Sequence, residues 1–186
     1  MNEPVRQPAQ LMSASEINRT LVRLAHEVLE KAGDPQRLAL VGIRRRGVPL
    51  ARRLAAKLEE IEGISPPVGS LDIQLYRDDL SPVASQPVLS TTEIPFDVTG
   101  RNVVLVDDVL YTGRTARAAL NALFDHGRPD RVELLVLIDR GHRELPIEAN
   151  YVGRRIQTLR HGTVEVKLME VDGEERVLFL ERPPEA

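Results

Sequence analysis

The chain has 186 residues, of which 42% are hydrophobic and 28% charged, and its formal net charge is -3. This composition is typical of a soluble globular domain, and the slight acidic excess gives no overall support for nucleic-acid binding. Because there is no cysteine, disulfides, thiolate metal sites and cysteine nucleophiles are excluded. No apolar run reaches the length of a membrane span and no signal pattern begins the chain, so we expect a cytoplasmic protein without a membrane partner.

The first strong local pattern is a helix start. Ser13 and Glu16 have the spacing of a capping box, and apolar residues then recur with helical period until Gly33. The elements predicted after this helix are, in chain order, a strand at Arg37–Ile43, a helix at Gly47–Glu60, strands at Val68–Tyr76 and Asn102–Asp107, a helix at Thr115–Asp125, and strands at Arg131–Asp139, Val164–Met169 and Arg176–Leu180.

The alternation of strands and helices in the middle of the chain predicts an α/β fold, with a mainly parallel central sheet flanked by helices. Asp172-Gly173, between the last two strands, is a hairpin turn signal. Residues 77–101 are polar and interrupted by prolines, and so long a connection is typically functional or mobile. We predict a single domain over residues 1–186, in which 1–12 and 182–186 are loose ends or, at the start, an edge-pairing segment.

The segment 103–115 (VVLVDDVLYTGRT) carries the strongest functional signal. An apolar strand delivers the adjacent carboxylates of Asp107 and Asp108, whose repulsion calls for a cation or hydroxyl donors. The turn from Thr112 to Thr115 offers backbone N–H groups at a helix start, which together with two hydroxyls can hold an anion. One stretch can therefore bind the hydroxyls and the phosphate of a ribose 5-phosphate. The alternative is an acidic pair that only caps a helix, and the flanking pattern disfavours it.

A cluster of arginines between two glycines follows the first core strand, at residues 42–47 (GIRRRG). Guanidinium groups beside glycines can approach a diphosphate closely and neutralise it, and the alternative is a solvated basic turn. Together the acidic and basic segments resemble the type I phosphoribosyltransferases. That resemblance implies a type I phosphoribosyltransferase fold with a flexible loop and a C-terminal β-hairpin, phosphoribosyl diphosphate as substrate and Mg²⁺ as cofactor.

A narrower resemblance covers residues 11–180 and points to the PyrR family of pyrimidine operon attenuators. It rests on residues 23–29, 41–54, 71–80, 103–117 and 138–153, and the segment 139–146 (DRGHRELP) is the most specific. The resemblance implies a UMP-responsive regulator that binds pyrimidine-operon leader mRNA, by transcription attenuation or translational control, with UMP or UTP as ligand. It also implies uracil phosphoribosyltransferase activity, in which uracil and phosphoribosyl diphosphate give UMP and diphosphate.

The chemistry needs few side chains, because displacement at the ribose C1′ passes through an oxocarbenium-like state. The expected catalytic residues are Asp107 and Asp108, which stabilise the sugar and contact Mg²⁺ partly through the substrate, and Arg44 and Arg45, which face the leaving group. No dedicated general base is identified. The full set of expected binding residues is Leu110, Tyr111, Thr112, Gly113, Arg114 and Thr115 for the 5′-phosphate; Ile43, Arg44, Arg45, Arg46 and Gly47 for the diphosphate; Arg140, Gly141 and His142 for uracil; and Tyr76, Arg77, Asp78 and Asp79 as the flexible loop.

One face of the first helix is a candidate RNA surface. Arg19, Arg23 and His26 have helical spacing and lie opposite the apolar stripe, although a solvated polar face would have the same pattern. The resemblance adds Arg143 and Arg154. The sequence departs from the family at two positions, Val22 and Glu148, which should weaken RNA binding.

Two readings therefore remain for the function. The first is the RNA-binding regulator, either with uracil phosphoribosyltransferase activity or with only vestigial catalytic activity. The second is a pure nucleobase-salvage phosphoribosyltransferase, including one for purines, without RNA binding. The segment 139–146 favours the first. Because leader RNA is longer than one protomer's face, we expect a homodimer or a dimer of dimers.

Overall fold

A computed structural model describes residues 8–77 and 91–181 of the chain. In chain order these residues form β1 (Ala9–Ser13), α1 (Ala14–Lys31), β2 (Leu38–Ile43), α2 (Gly47–Glu62), β3 (Val68–Leu71), β4 (Asn102–Leu110), α3 (Arg114–Phe124), β5 (Arg131–Asp139), β6 (Tyr151–Arg155), β7 (Thr163–Lys167), α4 (Met169–Asp172) and β8 (Arg176–Leu180), with 3₁₀ turns at Pro35–Arg37 and Gln74–Tyr76. None of the helices in these two ranges has the length and apolarity of a membrane-spanning segment.

A five-stranded parallel sheet forms the centre of the molecule, in the order β3-β2-β4-β5-β6. Successive side chains of a strand point to opposite faces of the sheet, so each strand contributes residues to the hydrophobic cores on both faces. Val104 and Val106 of β4 pack in the core that contains α1 and α2, whereas Val103 and Leu105 pack in the core that contains α3. The predicted α/β fold with helices on both faces is confirmed.

A second, antiparallel sheet has the order β1-β8-β7. Its β7–β8 hairpin confirms the predicted C-terminal hairpin, but the connection is α4 followed by Gly173 at φ 69°, so it is longer than the expected two-residue turn. Of the two alternatives predicted for the start of the chain, loose or edge-pairing, Ala9–Met12 follow the second, because these residues pair with β8. Residues 1–7 and 182–186 lie outside the described residues.

The capping box at the start of α1 is present as predicted. The Ser13 backbone N–H donates to Glu16 Oε2 at 2.8 Å, and the Ser13 hydroxyl accepts the Glu16 N–H at 3.4 Å. These bonds satisfy helix-end groups that the helix itself leaves unpaired. The helix ends at Lys31, and Gly33 adopts φ 69° just beyond it.

The strand predicted at Val68–Tyr76 is too long. It ends at Leu71, because Asp72 Oδ1 accepts the Gln74 N–H at 3.0 Å and turns the backbone into the 3₁₀ segment that follows. In the other direction, β4 continues three residues past the predicted end at Asp107, up to Leu110. The edge strand β6 was not predicted at all.

Candidate active site

The adjacent acids lie near the carboxyl end of β4, the middle strand of the parallel sheet. Asp107 Oδ1 accepts the Asp108 backbone N–H at 2.9 Å, and Asp108 Oδ1 accepts the Val109 N–H at 2.9 Å. Burial, and then the Asp108 carboxylate, raise the pKa of Asp107 well above its ordinary value. Burial also raises the pKa of Asp108, against the opposing effects of its bond to Asp107 and of Arg46. Such a pair suits a ligand that supplies hydroxyl donors or positive charge.

The turn after β4 forms the wall of a cavity of about 240 Å³. Gly113 adopts φ 92°, in the left-handed region, and directly precedes α3. The Thr112 carbonyl is held by the backbone N–H groups of Glu144 and Leu145, at 2.9 and 3.2 Å. All six residues predicted to bind the 5′-phosphate line this cavity together with Asp107: Leu110, Tyr111, Thr112, Gly113, Arg114 and Thr115.

The arginine loop lines a second cavity, of about 480 Å³, that shares Asp107, Thr115 and Arg77 with the first. Arg44, Arg45, Arg46, Asp72 and Asp108 complete the charged part of its wall. The structure therefore brings the predicted diphosphate loop, the acidic pair and the phosphate turn to adjoining spaces. The Arg44–Arg45 peptide bond in this loop is cis.

Glycine is required where the arginine loop approaches β4. A Cβ on Gly47 would lie 2.2 Å from the Val106 carbonyl oxygen, and one on Gly42 would lie 2.5 Å from the Val48 Cα. Both distances are far inside van der Waals contact with backbone atoms that cannot move aside cheaply. Gly47 lets the loop lie directly against the strand that carries Asp107, and Gly42 lets the start of α2 pack against the end of β2.

The loop predicted to read the base follows β5. Gly141 and His142 adopt φ 72° and 61°, and Asp139 Oδ1 accepts the Gly141 N–H at 3.0 Å. The Arg140 side chain is 5% exposed; its guanidinium stacks 4.1 Å from the Tyr111 ring centre and donates to the Leu159 carbonyl at 3.1 Å. Among the described residues, the lining of these two cavities does not include this loop, but the Arg140 N–H donates to the Leu110 carbonyl at 3.1 Å.

Arg143, expected to contact RNA, also makes several hydrogen bonds within the protein. Its guanidinium pairs with Asp139 Oδ1 at 2.7 Å and donates to the carbonyls of Tyr111 and Ile147 at 2.9 Å each. These bonds join the end of β5, the phosphate turn and the far end of the base loop. Arg143 therefore holds the two loops together. Sequence patterns could not indicate this role.

Of the predicted flexible loop, only Tyr76 and Arg77 are described, and Asp78 and Asp79 lie outside the described residues. The Tyr76 hydroxyl donates to Asp125 after α3, and Arg77 lines both cavities. Asp72 lines the arginine-loop cavity and was missed, because the predicted strand ran through it. The signal that could have found it is an acid directly after an apolar strand.

Arg19, Arg23 and His26 are exposed on α1, as their spacing predicted. Arg23 pairs with Glu27 and donates to the Val152 and Gly153 carbonyls of β6 at 3.2 and 2.5 Å. Arg154 of β6 reaches back to Glu16 at 3.1 Å and to the Leu11 carbonyl at 2.5 Å. We call this surface, formed by the exposed side of α1 and by β6, the α1–β6 face.

The acidic pair is a fitting partial ligand set for Mg²⁺. This ion is usually held by one or two carboxylates, with substrate oxygens and waters completing the octahedron. In residues 8–77 and 91–181 no three acids or histidines cluster as a complete protein site. Asp107 and Asp108 would therefore hold the ion with, and partly through, a phosphorylated substrate.

A family model described as a phosphoribosyl transferase domain matches residues 10–170. The Bifunctional protein PyrR of Pelotomaculum thermopropionicum is 58% identical over 176 residues, 95% of this chain and 97% of that protein. The protein of the same name from Thermus thermophilus is 57% identical over 178 residues, 96% and 98% of the two chains. The family resemblance read from the sequence is confirmed.

Solved structures agree on the fold. The hypoxanthine phosphoribosyltransferase of Trypanosoma cruzi superposes with a TM-score of 0.73 at 18% identity, over 97% of this chain and 98% of that one. The Staphylococcus aureus hypoxanthine phosphoribosyltransferase gives 0.68 at 18% identity, over 98% of both chains. At such identity the likeness establishes the architecture.

The raised pKa values generate a stability prediction. A carboxyl whose folded pKa lies above its unfolded value binds more protons in the folded state, so its contribution to stability falls as pH rises through that window. We expect Asp107→Asn to raise the free energy of unfolding at pH 7 without ligand, and this gain to shrink as pH falls toward the unfolded pKa of 3.8. Urea unfolding between pH 4 and 8 measures it. A variant less stable than the wild type throughout would show that the Asp107 carboxylate stabilises the fold.

Proposed function

The chain belongs to the PyrR family of phosphoribosyltransferases, and we propose that it converts uracil and phosphoribosyl diphosphate to UMP and diphosphate and binds pyrimidine-operon leader RNA in response to UMP. The observation that carries the enzymatic part is the meeting of three segments. The acidic pair, the phosphate turn and the arginine loop line two cavities that share Asp107, Thr115 and Arg77.

Each segment suits one part of phosphoribosyl diphosphate. Backbone N–H groups and hydroxyls of the turn from Thr112 to Thr115 hold the 5′-phosphate at the start of α3. Asp107 and Asp108 accept hydrogen bonds from the ribose hydroxyls. Arg44 and Arg45 lie on the side where the diphosphate departs. A single substrate extended across both cavities therefore meets a charge of the correct sign at each end.

The reaction breaks the bond between C1′ and a diphosphate oxygen and forms a bond from C1′ to uracil N1, with release of the N1 proton. Positive charge develops on the sugar between these events, and the buried carboxylates stabilise it in a site of low polarity. When bound, Mg²⁺ neutralises charge on the diphosphate. Uracil's own acidity makes a dedicated general base unnecessary, so positioning supplies most of the rate.

Uracil lies against the loop that follows β5, where peptide groups of Arg140, Gly141 and His142 read its edge. The left-handed conformations of Gly141 and His142 turn their peptide groups away from regular strand pairing, which supports this role. The Arg140 side chain stacks on the Tyr111 ring and so joins this loop to the phosphate turn.

The regulatory part rests on family membership and on the α1–β6 face. Arg19, Arg23, His26 and Arg154 lie on this face, and Arg143, whose guanidinium also pairs with Asp139, completes the proposed RNA-binding set. The protein acts in the cytoplasm, as a homodimer or a dimer of dimers, with UMP or UTP as the signal. The alternative, a salvage enzyme without RNA binding, has less support, because relatives at 57–58% identity carry the bifunctional name.

The acidic pair provides the test of the enzyme. Asp107→Asn and Asp108→Asn should each slow UMP synthesis at least about tenfold, the scale of losing one transition-state electrostatic contact. Both proteins should stay folded by circular dichroism. Asp130→Asn, which alters an exposed acid outside both cavities, is the matched control and should leave the rate within about twofold. Steady-state rates that survive both site substitutions would make the carboxylates structural.

Base choice separates the pyrimidine enzyme from a purine salvage enzyme. We expect uracil to be accepted, and hypoxanthine, guanine and orotate to be rejected, because the segment 139–146 that forms the base loop resembles the uracil-using family. A coupled assay that follows diphosphate release with each of the four bases measures this preference. A preference for a purine would overturn the pyrimidine assignment and leave the phosphoribosyltransferase core intact.

RNA binding should be separable from catalysis. Arg23→Ala combined with His26→Ala should weaken leader-RNA binding and leave UMP formation within about twofold, since neither residue lines the cavities. UMP should strengthen RNA binding of the wild type by roughly 5- to 150-fold, the usual range of coupling between two sites.

The chain offers a matched control in His126→Ala combined with Arg128→Ala. These residues are also an exposed histidine and arginine, and they follow α3, which packs on the opposite face of the sheet from α1. Gel shifts with and without UMP compare the two double variants. Equal RNA affinity in both would mean that the exposed side of α1 is only solvated surface.

A further inference from the structure

The arginine loop is tied to the C-terminal sheet by a two-bond ion pair. Arg46, its last residue before α2, donates through Nε to Asp172 Oδ2 at 3.0 Å and through Nη2 to Asp172 Oδ1 at 2.7 Å. Such a paired fork fixes both the distance and the plane of a guanidinium. A residue of α4, more than a hundred positions away in the sequence, thus orients a side chain of the diphosphate loop.

Asp172 is itself held firmly. Its side chain is 11% exposed, and Oδ2 also accepts the Leu168 backbone N–H at 2.9 Å. The hydrogen bonds from Arg46 dominate its environment and lower its pKa to about 2, so the carboxylate is charged at every physiological pH. A partly buried carboxylate whose two oxygens both have partners is a rigid anchor.

The Arg46 guanidinium is bonded to Asp172 although a second carboxylate, that of Asp108, belongs to the same cavity wall. Arg46 and Asp108 line the same cavity. If Asp172 did not hold it, the guanidinium would be drawn to Asp108, which would place an internal ion pair where the sugar and diphosphate bind.

We propose that Asp172 is a positioning residue for the transfer reaction: it holds Arg46 away from Asp108, so that both side chains stay available to phosphoribosyl diphosphate. This inference rests on the proposed function, because it assigns a role toward the same substrate. It gives the C-terminal sheet a part in substrate binding, although Asp172 touches no substrate atom.

The same junction supplies a matched control. Arg53 of α2 donates to Glu175 Oε1 at 2.6 Å and to Glu175 Oε2 at 2.9 Å, and the Glu175 side chain is 16% exposed. This pair also joins α2 to the C-terminal sheet with two bonds, but Arg53 does not line the active-site cavities. Glu175→Gln therefore weakens the junction without releasing an arginine of the diphosphate loop.

The experiment compares Asp172→Asn with Glu175→Gln. We expect Asp172→Asn to raise the KM for phosphoribosyl diphosphate by roughly five- to twentyfold with kcat within about twofold, the pattern of lost substrate binding. Glu175→Gln should leave both constants within about twofold, because Arg53 lies outside the active-site cavities and stays bonded to Glu170. Asp172→Glu keeps the carboxylate, and the increase in log KM should be at most half of that in Asp172→Asn. If Asp172→Asn does not fold, Asp172→Glu is compared with Glu175→Gln in its place.

Affinity for phosphoribosyl diphosphate with Mg²⁺, measured by calorimetry without uracil, gives a readout that needs no turnover. It should fall for Asp172→Asn by the same factor as KM rises. Equal effects of Asp172→Asn and Glu175→Gln, or an unchanged or tighter affinity for Asp172→Asn, would overturn the inference. A wild type that binds phosphoribosyl diphosphate but forms no UMP would instead contradict the proposed function, and the calorimetric comparison would still decide the role of Asp172.

Discussion

The constraint on which the site depends is the presence of two adjacent carboxylates, one buried and one partly buried, near the carboxyl end of the central strand. In low polarity their mutual repulsion and lost hydration are costly, and the raised pKa values of Asp107 and Asp108 express that cost. The protein offsets part of it with backbone N–H groups and with the charge of Arg46. The rest of this free-energy cost is removed when a ligand brings hydrogen-bond donors or positive charge to the two carboxylates, and its removal favours binding.

The architecture around the pair follows from the parallel order of the sheet. Because all five strands run the same way, the ends of β2, β4 and β5 meet at one edge, and each contributes a loop. The loop after β2 approaches β4 so closely that only glycine fits at residue 47, and only glycine fits at residue 42, where the start of α2 lies against β2. The loops after β4 and β5 are joined through Arg143, which contacts both. The loops after β2 and β4 therefore line the cavities, and the loop after β5 is held against the loop after β4.

Local patterns were enough to predict the parts of the site that lie within one segment. The strand, acidic pair and phosphate turn are consecutive in the chain, and the capping box at Ser13 and Glu16 spans only four residues. Pairings between distant segments could not be predicted. β1 is a strand only because β8 lies beside it. In β6 the apolar pattern is interrupted by Gly153. Glycine is required there because a Cβ would lie 2.3 Å from the Leu137 carbonyl oxygen. For the same reason the partners of Arg143 and Arg46 were out of reach of sequence reasoning.

A nucleotide can change RNA affinity only through contacts that differ between two arrangements of the protein. The segment after β6 provides a physical link for such a change. Its Leu159 and Arg160 carbonyls accept hydrogen bonds from the Arg140 guanidinium of the base loop and from the Tyr111 hydroxyl of the phosphate turn. At the other end of this continuous stretch, β6 is bonded to α1 through Arg23. A nucleotide that orders both loops would therefore also restrain the segment that leads directly into the α1–β6 face, because each loop is hydrogen-bonded to that segment.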